Sequence, residues 1–398
     1  MSKQYTIYND DCLKKLDELD EDSIDCIVTD PPYEINFMGK GWDSAGVSFN
    51  KTTWKKCLKV LKPGGYLLAF GGSRTYHRIA CAVEDAGFEL RDTIMWIYGS
   101  GMPKALNIGL AVDKKLGKES KVIGTGKSGD SKTHLRTLHS ETKDGKSVFG
   151  GEYQIKEATN EWNGWRSALK PAFEPIIVAR KPLNGSLVDN VMKYGVGGLN
   201  IDECRVETGD IIAKNVAFKE EKQSNGWGTK KCITEPSTQG RFPANVILTY
   251  GKDDSEEVCG GFPVTKGGGK TKEKGDFGYC FGGKRDSKPM ADGYDDSGSA
   301  ARYFYSAKAS SKDRNEGLEE PNTHTTVKPT SLMQYLVRLV APKGATILDP
   351  FMGSGSTGKA VAYENKERGA DYKFVGIEKE TEYCEIAKKR IAFAEGKK

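Results

Sequence analysis

The chain has 398 residues, of which 37% are hydrophobic, and its 60 Lys and Arg against 55 Asp and Glu give a net charge of +5. This balance is typical of an ordinary soluble protein, and the length predicts a catalytic domain with an added segment. The mild positive charge is compatible with nucleic-acid binding but does not by itself indicate it.

The chain start and the cysteines indicate where the protein works. The N-terminal residues lack the apolar core of a signal peptide, and no stretch is long and apolar enough to span a bilayer. The nine cysteines include no Cys-x-x-Cys pair, which predicts free thiols in a reducing cytoplasm. Four of them fall in one region: Cys204, Cys232, Cys259 and Cys280. Their wide, irregular spacing argues against zinc, so we expect no bound metal.

Strands and helices alternate in the N-terminal part of the chain. Residues 24–30, IDCIVTD, form an apolar run that ends in an acid, which is typical of a buried parallel strand. Two further strands are predicted at 66–70 and 88–98. Apolar residues recur at helical spacing between these strands, and the helices are predicted to stop at the Lys-Pro-Gly-Gly turn of 62–65 and at Gly87.

The C-terminal part shows the same alternation. A helix with apolar residues from Leu332 to Leu339 is followed by predicted strands at 345–349 and 373–378 and by a terminal helix from Thr381. Because both chain ends have this strand–helix–strand order, we expect one α/β sheet with right-handed crossovers, assembled from both ends.

The middle of the chain has a different character. Residues 108–164 are polar and rich in Gly, Lys and Ser, and one more strand is predicted at 171–180. Residues 183–320 are irregular, with many glycines and with aromatic residues among basic ones. The simplest interpretation is a single sheet interrupted by a long insert.

The segment Asp30-Pro31-Pro32-Tyr33 follows the first buried strand, at the kind of strand end where open α/β sheets bind ligands. The two prolines remove N–H donors and leave a stiff turn whose carbonyls point outward. The Asp30 carboxylate and the Pro31 carbonyl can together accept both hydrogen bonds of one amino group, and Tyr33 can stack on a planar base. A proline-rich turn with a purely structural role is the alternative.

A glycine-rich turn from Asp349 to Gly358 follows the strand at 345–349 and opens a helix. Its small residues let a ligand approach the backbone. The candidate binding residues are Asp349, Phe351, Gly353, Gly355, Ser356 and Thr357. The spacing from Gly353 to Lys359 also fits a phosphate-binding loop, but Ala360 stands where that loop requires a hydroxyl for magnesium.

Glu378 ends the next predicted strand, roughly twenty residues beyond the glycine turn, as in dinucleotide sites. An acid at this place can accept hydrogen bonds from both hydroxyls of a ribose. A surface acid at a strand end is the alternative interpretation.

In combination, these motifs resemble the β group of DNA amino-methyltransferases, of the prophage or restriction-modification type. In that group the Asp-Pro-Pro-Tyr element precedes the Phe-x-Gly-x-Gly cofactor turn, and a target-recognition region lies between them. The resemblance covers residues 5–105, 165–182 and 322–398. It implies a Rossmann-like methyltransferase sheet with circularly permuted motif order, and S-adenosyl-L-methionine as cofactor.

The resemblance also assigns further cofactor contacts. His324 and Lys328 lie in a segment similar to the one that precedes the glycine-rich strand in the family. Asp11 and Cys12 lie in a segment that resembles the element whose acid contacts the cofactor adenine. Asp10 stays open as the alternative to Asp11 for that contact.

The organisation that the resemblance implies has five segments. They are residues 1–107, the catalytic part; 108–164, a polar insert; 165–182, a return strand; 183–321, a target-recognition region that binds DNA; and 322–398, the cofactor-binding part. The target DNA sequence does not follow from these segments.

The implied reaction is direct methyl transfer to an amino nitrogen of a base flipped out of double-stranded DNA, with Asp30 beside both target and cofactor. An Asp at the first motif position favours N6 of adenine; N4 of cytosine is the alternative, because those enzymes more often carry Ser there. A catalytically inactive DNA-binding module and a phosphate-loop protein are the alternatives of other classes. A homodimer and a separate restriction endonuclease stay open as partners, and no membrane partner is expected.

Overall fold

The structure is a computed structural model that describes residues 4–35, 43, 45–98, 105–127, 152–207, 212–219, 231–237, 240–250, 264–266, 297–308 and 310–397. The chain divides into two compact units: one is Ser100–Ala172, and the other comprises Met1–Gly99 and Phe173–Lys398. Within the ranges given above, no helix is long and apolar enough to cross a membrane.

Strands and helices alternate along most of the described chain. The strands are β1 (Tyr5–Asn9), β2 (Ile24–Thr29), β3 (Leu61–Phe70), β4 (Glu89–Tyr98), β5 (Lys121–Lys127), β6 (Glu152–Glu157), β7 (Phe173–Arg180), β8 (Ile212–Lys219), β9 (Lys231–Ser237), β10 (Val246–Tyr250), β11 (Val264–Lys266), β12 (Ser297–Ser299), β13 (Tyr305–Lys308), β14 (Thr346–Asp349) and β15 (Lys373–Glu378). The α-helices are α1 (Cys12–Glu18), α2 (Lys51–Val60), α3 (Tyr76–Asp85), α4 (Ile108–Lys115), α5 (Leu187–Tyr194), α6 (Ser311–Asn315), α7 (Thr330–Val340), α8 (Ser356–Arg368) and α9 (Thr381–Ala394).

A nine-stranded sheet forms the larger unit, in the order β1-β15-β14-β2-β3-β7-β4-β10-β13. All neighbouring strands in it are parallel except at β7, which runs antiparallel to both β3 and β4. The two chain ends meet where β14 pairs with β2, with Ile347 opposite Cys26 and Leu348 opposite Ile27. The predicted single α/β sheet built from both chain ends is therefore confirmed.

Two apolar cores cover the two faces of this sheet. On one face, side chains of α7, α8 and α9 pack against the strands, and on the other face those of α1, α2 and α3 do so. Alternate residues of β2 enter opposite cores: Cys26 and Val28 pack on one side, and Ile24 and Ile27 on the other. Burial on both faces explains why the predicted strand is a continuous apolar run rather than an alternating one.

Some local elements differ from the sequence-based expectation. The helix α2 already ends at Val60, and β3 begins at Leu61, so the Lys-Pro-Gly-Gly residues lie in the strand instead of stopping the helix. The predicted polar insert contains α4 and the β5–β6 hairpin. Two strands of the predicted recognition segment, β10 and β13, extend the main sheet. These strands have only five and four residues, and β13 (YSAK) is too polar to stand out as an apolar run.

A glycine lies at each end of α8, and substitutions of the two residues can show how closely this helix packs against α9. Gly355 and Gly369 both have left-handed backbone conformations, with φ of 77° and 61°. A Cβ atom on Gly355 would lie 2.8 Å from the Ala387 Cβ, whereas one on Gly369 would meet nothing within 4 Å. We expect Gly369→Ala to lower the free energy of unfolding by about 1–2 kcal/mol through the backbone alone. Gly355→Ala should cost about 1–3 kcal/mol more, because α9 must move.

Urea unfolding of the two variants measures this difference. Since both substitutions place alanine in the same backbone region, their difference reports the contact with α9. A Gly355→Ala variant no less stable than Gly369→Ala would contradict the close packing of α8 on α9.

Candidate active site

The sequence motifs meet at the carboxyl ends of neighbouring parallel strands. Asp30 directly follows β2, Asp349 ends β14, Glu378 ends β15 and Asp10 follows β1. The Thr29 hydroxyl donates to Asp349 Oδ1 at 2.6 Å, which ties the first motif to the glycine turn. Crevices outside the carboxyl ends of such strands are where open α/β sheets bind ligands.

Asp30 has two carboxylate oxygens in very different surroundings. Its Oδ2 accepts a hydrogen bond from Lys328 Nζ at 2.5 Å. Its Oδ1 is buried and has no hydrogen-bond partner among the described residues, although 21% of the whole side chain is exposed. Burial raises the pKa of Asp30; the Lys328 ammonium opposes this shift and the Glu174 carboxylate reinforces it. A buried acceptor without a partner is costly, so this oxygen is suited to a donor that arrives with a bound molecule.

Lys328 lies beneath this motif, with its side chain only 7% exposed. Besides Asp30, its Nζ contacts Glu174 Oε2 at 3.3 Å, and it lies 5.3 Å from the Tyr33 ring centroid and 4.9 Å from that of Phe70. Burial acts to lower the pKa of Lys328, but the Asp30 and Glu174 carboxylates outweigh burial and raise it. The resemblance implied a cofactor contact for Lys328, and the structure places its ammonium group on the catalytic motif.

Tyr33 is oriented by a residue that no motif contains. Its hydroxyl donates to Glu174 Oε2 at 2.7 Å, and the Tyr98 hydroxyl donates to Glu174 Oε1 at 3.2 Å. Glu174 lies in β7, whose remaining residues after Pro175 are apolar or buried. An acid within a predicted buried strand was the signal in the sequence that could have singled out Glu174.

The glycine turn is organised by Asp349. Its two carboxylate oxygens accept from the hydroxyls of Thr29 and Thr357, each at 2.6 Å, and Oδ1 also accepts from the Phe351 backbone N–H. Burial raises the pKa of Asp349 to about 6, with the two hydroxyls opposing that shift. These bonds lie inside the domain, so Asp349 and Thr357 hold the glycine turn in place through buried contacts.

Arg390, on the terminal helix α9, supports the same turn and was missed by the sequence analysis. It is fully buried, and its Nη1 donates to the Ser354 carbonyl at 2.6 Å and to the hydroxyls of Ser354 and Ser356 at 3.1 and 3.3 Å. An arginine in an amphipathic terminal helix gives no sign in the sequence that it points inward.

Glu378 and His324 lie against the turn at Gly353. Glu378 Oε2 accepts from the Gly353 N–H at 2.7 Å, and its Oε1 accepts from the Glu380 N–H at 2.8 Å. Gly353 has a φ of 54°, and a Cβ atom there would lie 2.9 Å from His324 Nε2, so a larger residue would have to displace the His324 ring. Burial, with Lys328 as a further cause, lowers the pKa of His324 to about 4, which keeps its imidazole neutral.

The segment after β1 completes this edge of the sheet. Asp11 Oδ1 caps α1 by accepting from the Leu13 N–H at 2.8 Å, and Asp10 Oδ1 accepts from the Asp11 N–H at 2.7 Å. Burial raises the pKa of the Cys12 thiol to about 12, and Asp11 and Glu378 add to that shift. Cys12 is therefore a neutral thiol beside two acids, and the choice between Asp10 and Asp11 as the adenine contact stays open.

The position of the Lys359 side chain argues against a phosphate-binding loop at the glycine turn. In such a loop this lysine reaches the phosphates. Here it is fully buried and forms ion pairs with Asp313 at 2.6 Å and Glu316 at 2.9 Å. Since two carboxylates hold its ammonium group inside the domain, Lys359 supports α6 against α8 and does not serve a bound phosphate.

The cysteines considered for zinc are only partly described. Cys204 is buried, with its Sγ 4.0 Å from the Tyr335 carbonyl. Cys259, Cys280 and the side chain of Cys232 lie outside the described residues. Among the residues that are described, no group of three or more His, Cys, Asp or Glu side chains is arranged to hold a metal ion.

These features together fit a nucleoside cofactor. Gly353 and Gly355 give backbone access in a turn that opens α8, and acids stand at the ends of β15 and β1. Asp30 Oδ2 accepts from Lys328, which lies in the segment that the resemblance assigns to the cofactor, and Asp30 Oδ1 has no partner among the described residues. A mostly parallel sheet with these motifs at its carboxyl edge defines a Rossmann-like methyltransferase that uses S-adenosyl-L-methionine.

The family follows from a direct match. Residues 24–389 match the family model described as DNA methylase, of the N6 and N4 amino-methyltransferases, and the chain belongs to this family. Members of the family methylate DNA with S-adenosyl-L-methionine, which is therefore the cofactor of this chain.

Several known proteins are similar to the chain. The type II methyltransferase M.HindIII of Haemophilus influenzae is 25% identical over 255 residues, which are 53% of this chain and 70% of that protein. The type II methyltransferase M.HpaI of Haemophilus parainfluenzae is 35% identical over 99 residues, 23% of this chain and 31% of that protein. The solved structure of the cytosine-N4-specific PvuII DNA methyltransferase has 13% identity and a TM-score of 0.44, covering 98% of this chain and 88% of that one. Nothing about the substrate base of this chain follows from that likeness.

Glu378→Ala should weaken cofactor binding at least about tenfold, because a charged hydrogen bond is worth about 1.5–3 kcal/mol. Each carboxylate oxygen accepts one backbone N–H and keeps a lone pair for a ribose hydroxyl. Calorimetric titration with S-adenosyl-L-methionine measures the change. Glu385→Ala is the matched control, since this exposed acid of α9 pairs only with Lys388 among the described contacts. Equal cofactor affinity in the two variants would contradict a cofactor role for Glu378.

Proposed function

We propose that the chain is a site-specific DNA methyltransferase that modifies N6 of adenine in a base flipped out of the duplex. The observation that carries this proposal is the buried Asp30 Oδ1 at the end of β2, an acceptor that has no partner among the described residues. Such an atom suits an amino group that arrives with the substrate. The match to the N6 and N4 DNA methylase family supports the same class of target.

The residues of the Asp30–Tyr33 motif orient the target. Asp30 Oδ1 and the Pro31 carbonyl accept the two amino N–H bonds, which directs the nitrogen lone pair away from the motif. Pro32 keeps the turn rigid, and the Tyr33 ring stacks on the base. As positive charge develops on the amino nitrogen, the Asp30 carboxylate stabilises it in a buried site where electrostatic interactions are strong.

The cofactor is held by the neighbouring strand ends. S-adenosyl-L-methionine supplies an activated methyl group, so the chain needs no covalent nucleophile. Glu378 accepts from the ribose hydroxyls, and Asp11 or Asp10 contacts the adenine beside Cys12. The backbone around Gly353 and Gly355 lies against the cofactor, with Phe351, Ser356 and His324 bordering the site.

Adenine is favoured over cytosine by the acid at the first motif position. The test is to methylate PCR-amplified genomic DNA, which carries no modified bases, and to identify the methylated nucleoside by mass spectrometry after digestion. N6-methyladenine is the expected product. N4-methylcytosine would refute the choice of base, and no methylated nucleoside would favour an inactive DNA-binding module. A homodimer and a companion restriction endonuclease stay predictions.

Asp30→Ala should abolish methyl transfer and largely spare cofactor binding, since the lost acceptor faces the target amino group. Lys328 keeps Glu174 as an ion-pair partner, so its buried charge is not left alone. Single-turnover transfer and calorimetry with S-adenosyl-L-methionine separate the two effects. Asp30→Asn keeps the shape without the charge and should also be inactive. Cofactor affinity that collapses in step with the rate would make Asp30 a cofactor residue instead.

Residues 183–321 are proposed to choose the DNA sequence. In this segment the Arg241 guanidinium lies 5.0 Å from the Tyr303 ring centroid, and the neighbouring Phe242 is 65% exposed. Basic side chains contact phosphates, and arginine can read guanine edges. Because β10 and β13 belong to the sheet, and Asp313 and Glu316 hold the buried Lys359, only the parts before residue 310 and outside the two strands should be exchanged for those of a related enzyme. Sequencing of modified bases should then show a new target sequence. If the target sequence does not change, the segment is a structural insert and does not select the DNA sequence.

A further inference from the structure

One carboxylate outside the family motifs connects three groups of the site. Glu174 lies in β7 with its side chain 20% exposed. It receives hydrogen bonds from the hydroxyls of Tyr33 and Tyr98, and its Oε2 is 3.3 Å from Lys328 Nζ. No cofactor motif lies on this strand, so the binding of S-adenosyl-L-methionine does not account for these contacts.

The direction of β7 explains how this residue reaches the site. Because β7 runs antiparallel to β3 and β4, its first residues lie beside the last residues of those strands. Glu174 is opposite Trp96, near the end of β4, and Ile176 is opposite Phe70, which ends β3. The antiparallel strand β7 therefore places Glu174 at the sheet edge where the parallel strands end.

We propose that Glu174 is a positioning residue for methyl transfer, which shares Lys328 with Asp30 and fixes Tyr33, so that Asp30 Oδ1 stays open for the target amino group. This inference rests on the proposed amino-methyltransferase function. It does not depend on whether the base is adenine or cytosine.

The balance of charges supports this role. Two carboxylates, of Asp30 and Glu174, share one ammonium group, whose Nζ is 2.5 Å from Asp30 Oδ2 and 3.3 Å from Glu174 Oε2. Without Glu174, Lys328 would turn its donors to Asp30 alone and compete with the target amino group for Oδ1. With Glu174 present, the ammonium is held on Oδ2 at 2.5 Å and drawn away from Oδ1.

Glu174 also fixes the ring that is proposed to stack on the base. Burial raises the pKa of Tyr33, and the Asp30 and Glu174 carboxylates add to the shift, so its hydroxyl remains a donor. The bond from this hydroxyl to Glu174 sets the ring against Lys328 on one side. A misplaced stacking ring would lower the rate of transfer more than it would lower cofactor affinity.

Several charged and titratable groups face the Asp30 carboxylate. Burial raises its pKa, Lys328 lowers it and Glu174 raises it further; Tyr33 lies nearby with its hydroxyl donated to Glu174, and Asp349 lies close enough for the two carboxylates to interact. His324 lies near Lys328, and burial together with that charge lowers the pKa of His324 to about 4, so its imidazole is neutral near pH 7.

Asp30 must be ionised to accept both amino hydrogens, so methyl transfer is lost as the pH falls through the pKa of Asp30. Removing the Glu174 charge lowers that pKa and should move the acid limb to lower pH.

The experiment compares Glu174→Gln with the wild-type chain. Single-turnover transfer of labelled methyl to PCR-amplified genomic DNA is followed across pH at saturating cofactor and DNA. We expect the maximal rate to fall at least about tenfold, with unchanged cofactor affinity and an acid limb at lower pH. Glu174→Asp keeps the charge and should restore the wild-type position of the limb. Glu89→Gln is the matched control, because Glu89 pairs with Arg180 at the far end of β7 and should change neither quantity.

The outcomes separate this inference from the proposed function. A wild-type chain without methyl transfer would refute the proposed function. Normal wild-type transfer with an unshifted acid limb in Glu174→Gln, or with cofactor affinity falling in step with the rate, would overturn the positioning role alone. If Glu174→Gln unfolds, Tyr98→Phe provides the same comparison by removing one hydrogen bond to Glu174. Its rate should then fall severalfold at unchanged cofactor affinity, and an unchanged rate would overturn the inference.

Discussion

The buried ion pair between Asp30 and Lys328 is the interaction on which the site depends. It joins residues 298 positions apart, one at the end of β2 and the other before α7. Removing Lys328 would leave the Asp30 and Glu174 carboxylates without their shared cation, and an uncompensated buried charge costs several kcal/mol. The pair therefore joins the Asp-Pro-Pro-Tyr motif to the segment before α7, while its hydrogen bond engages only one of the two Asp30 oxygens.

The sheet determines which residues can join that pair. Parallel strands from both chain ends finish at one edge, which gathers Asp30, Asp349 and Glu378 there. The reversed strand β7 begins at this edge and contributes Glu174. Asp349 accepts from the Thr357 hydroxyl and Arg390 donates to the Ser354 carbonyl, so the backbone that is proposed to face the cofactor is held by contacts inside the domain. Precise placement of this kind is what a direct transfer reaction requires.

Much of the fold could be predicted because it is encoded locally. The apolar run before Asp30 and the glycine turn after β14 are short patterns whose meaning does not depend on distant residues. The direction of β7 could not be predicted, since its apolar sequence is compatible with either direction and only its pairing with β3 and β4 decides. The same limit applies to β10 and β13, which join the sheet from within a glycine-rich segment. The partners of Lys328, Glu174 and Arg390 likewise depend on packing between distant parts of the chain.

In the proposed reaction, Asp30 Oδ1 accepts a hydrogen bond from the amino group of the target base. A crystal structure of the chain with a non-reactive cofactor analogue and a duplex containing its target sequence would show this contact. We expect a flipped base whose exocyclic nitrogen lies within about 3.2 Å of Asp30 Oδ1, while Oδ2 stays on Lys328. A bound base whose amino group contacts other residues, with Asp30 Oδ1 turned to the cofactor or to Lys328, would contradict it.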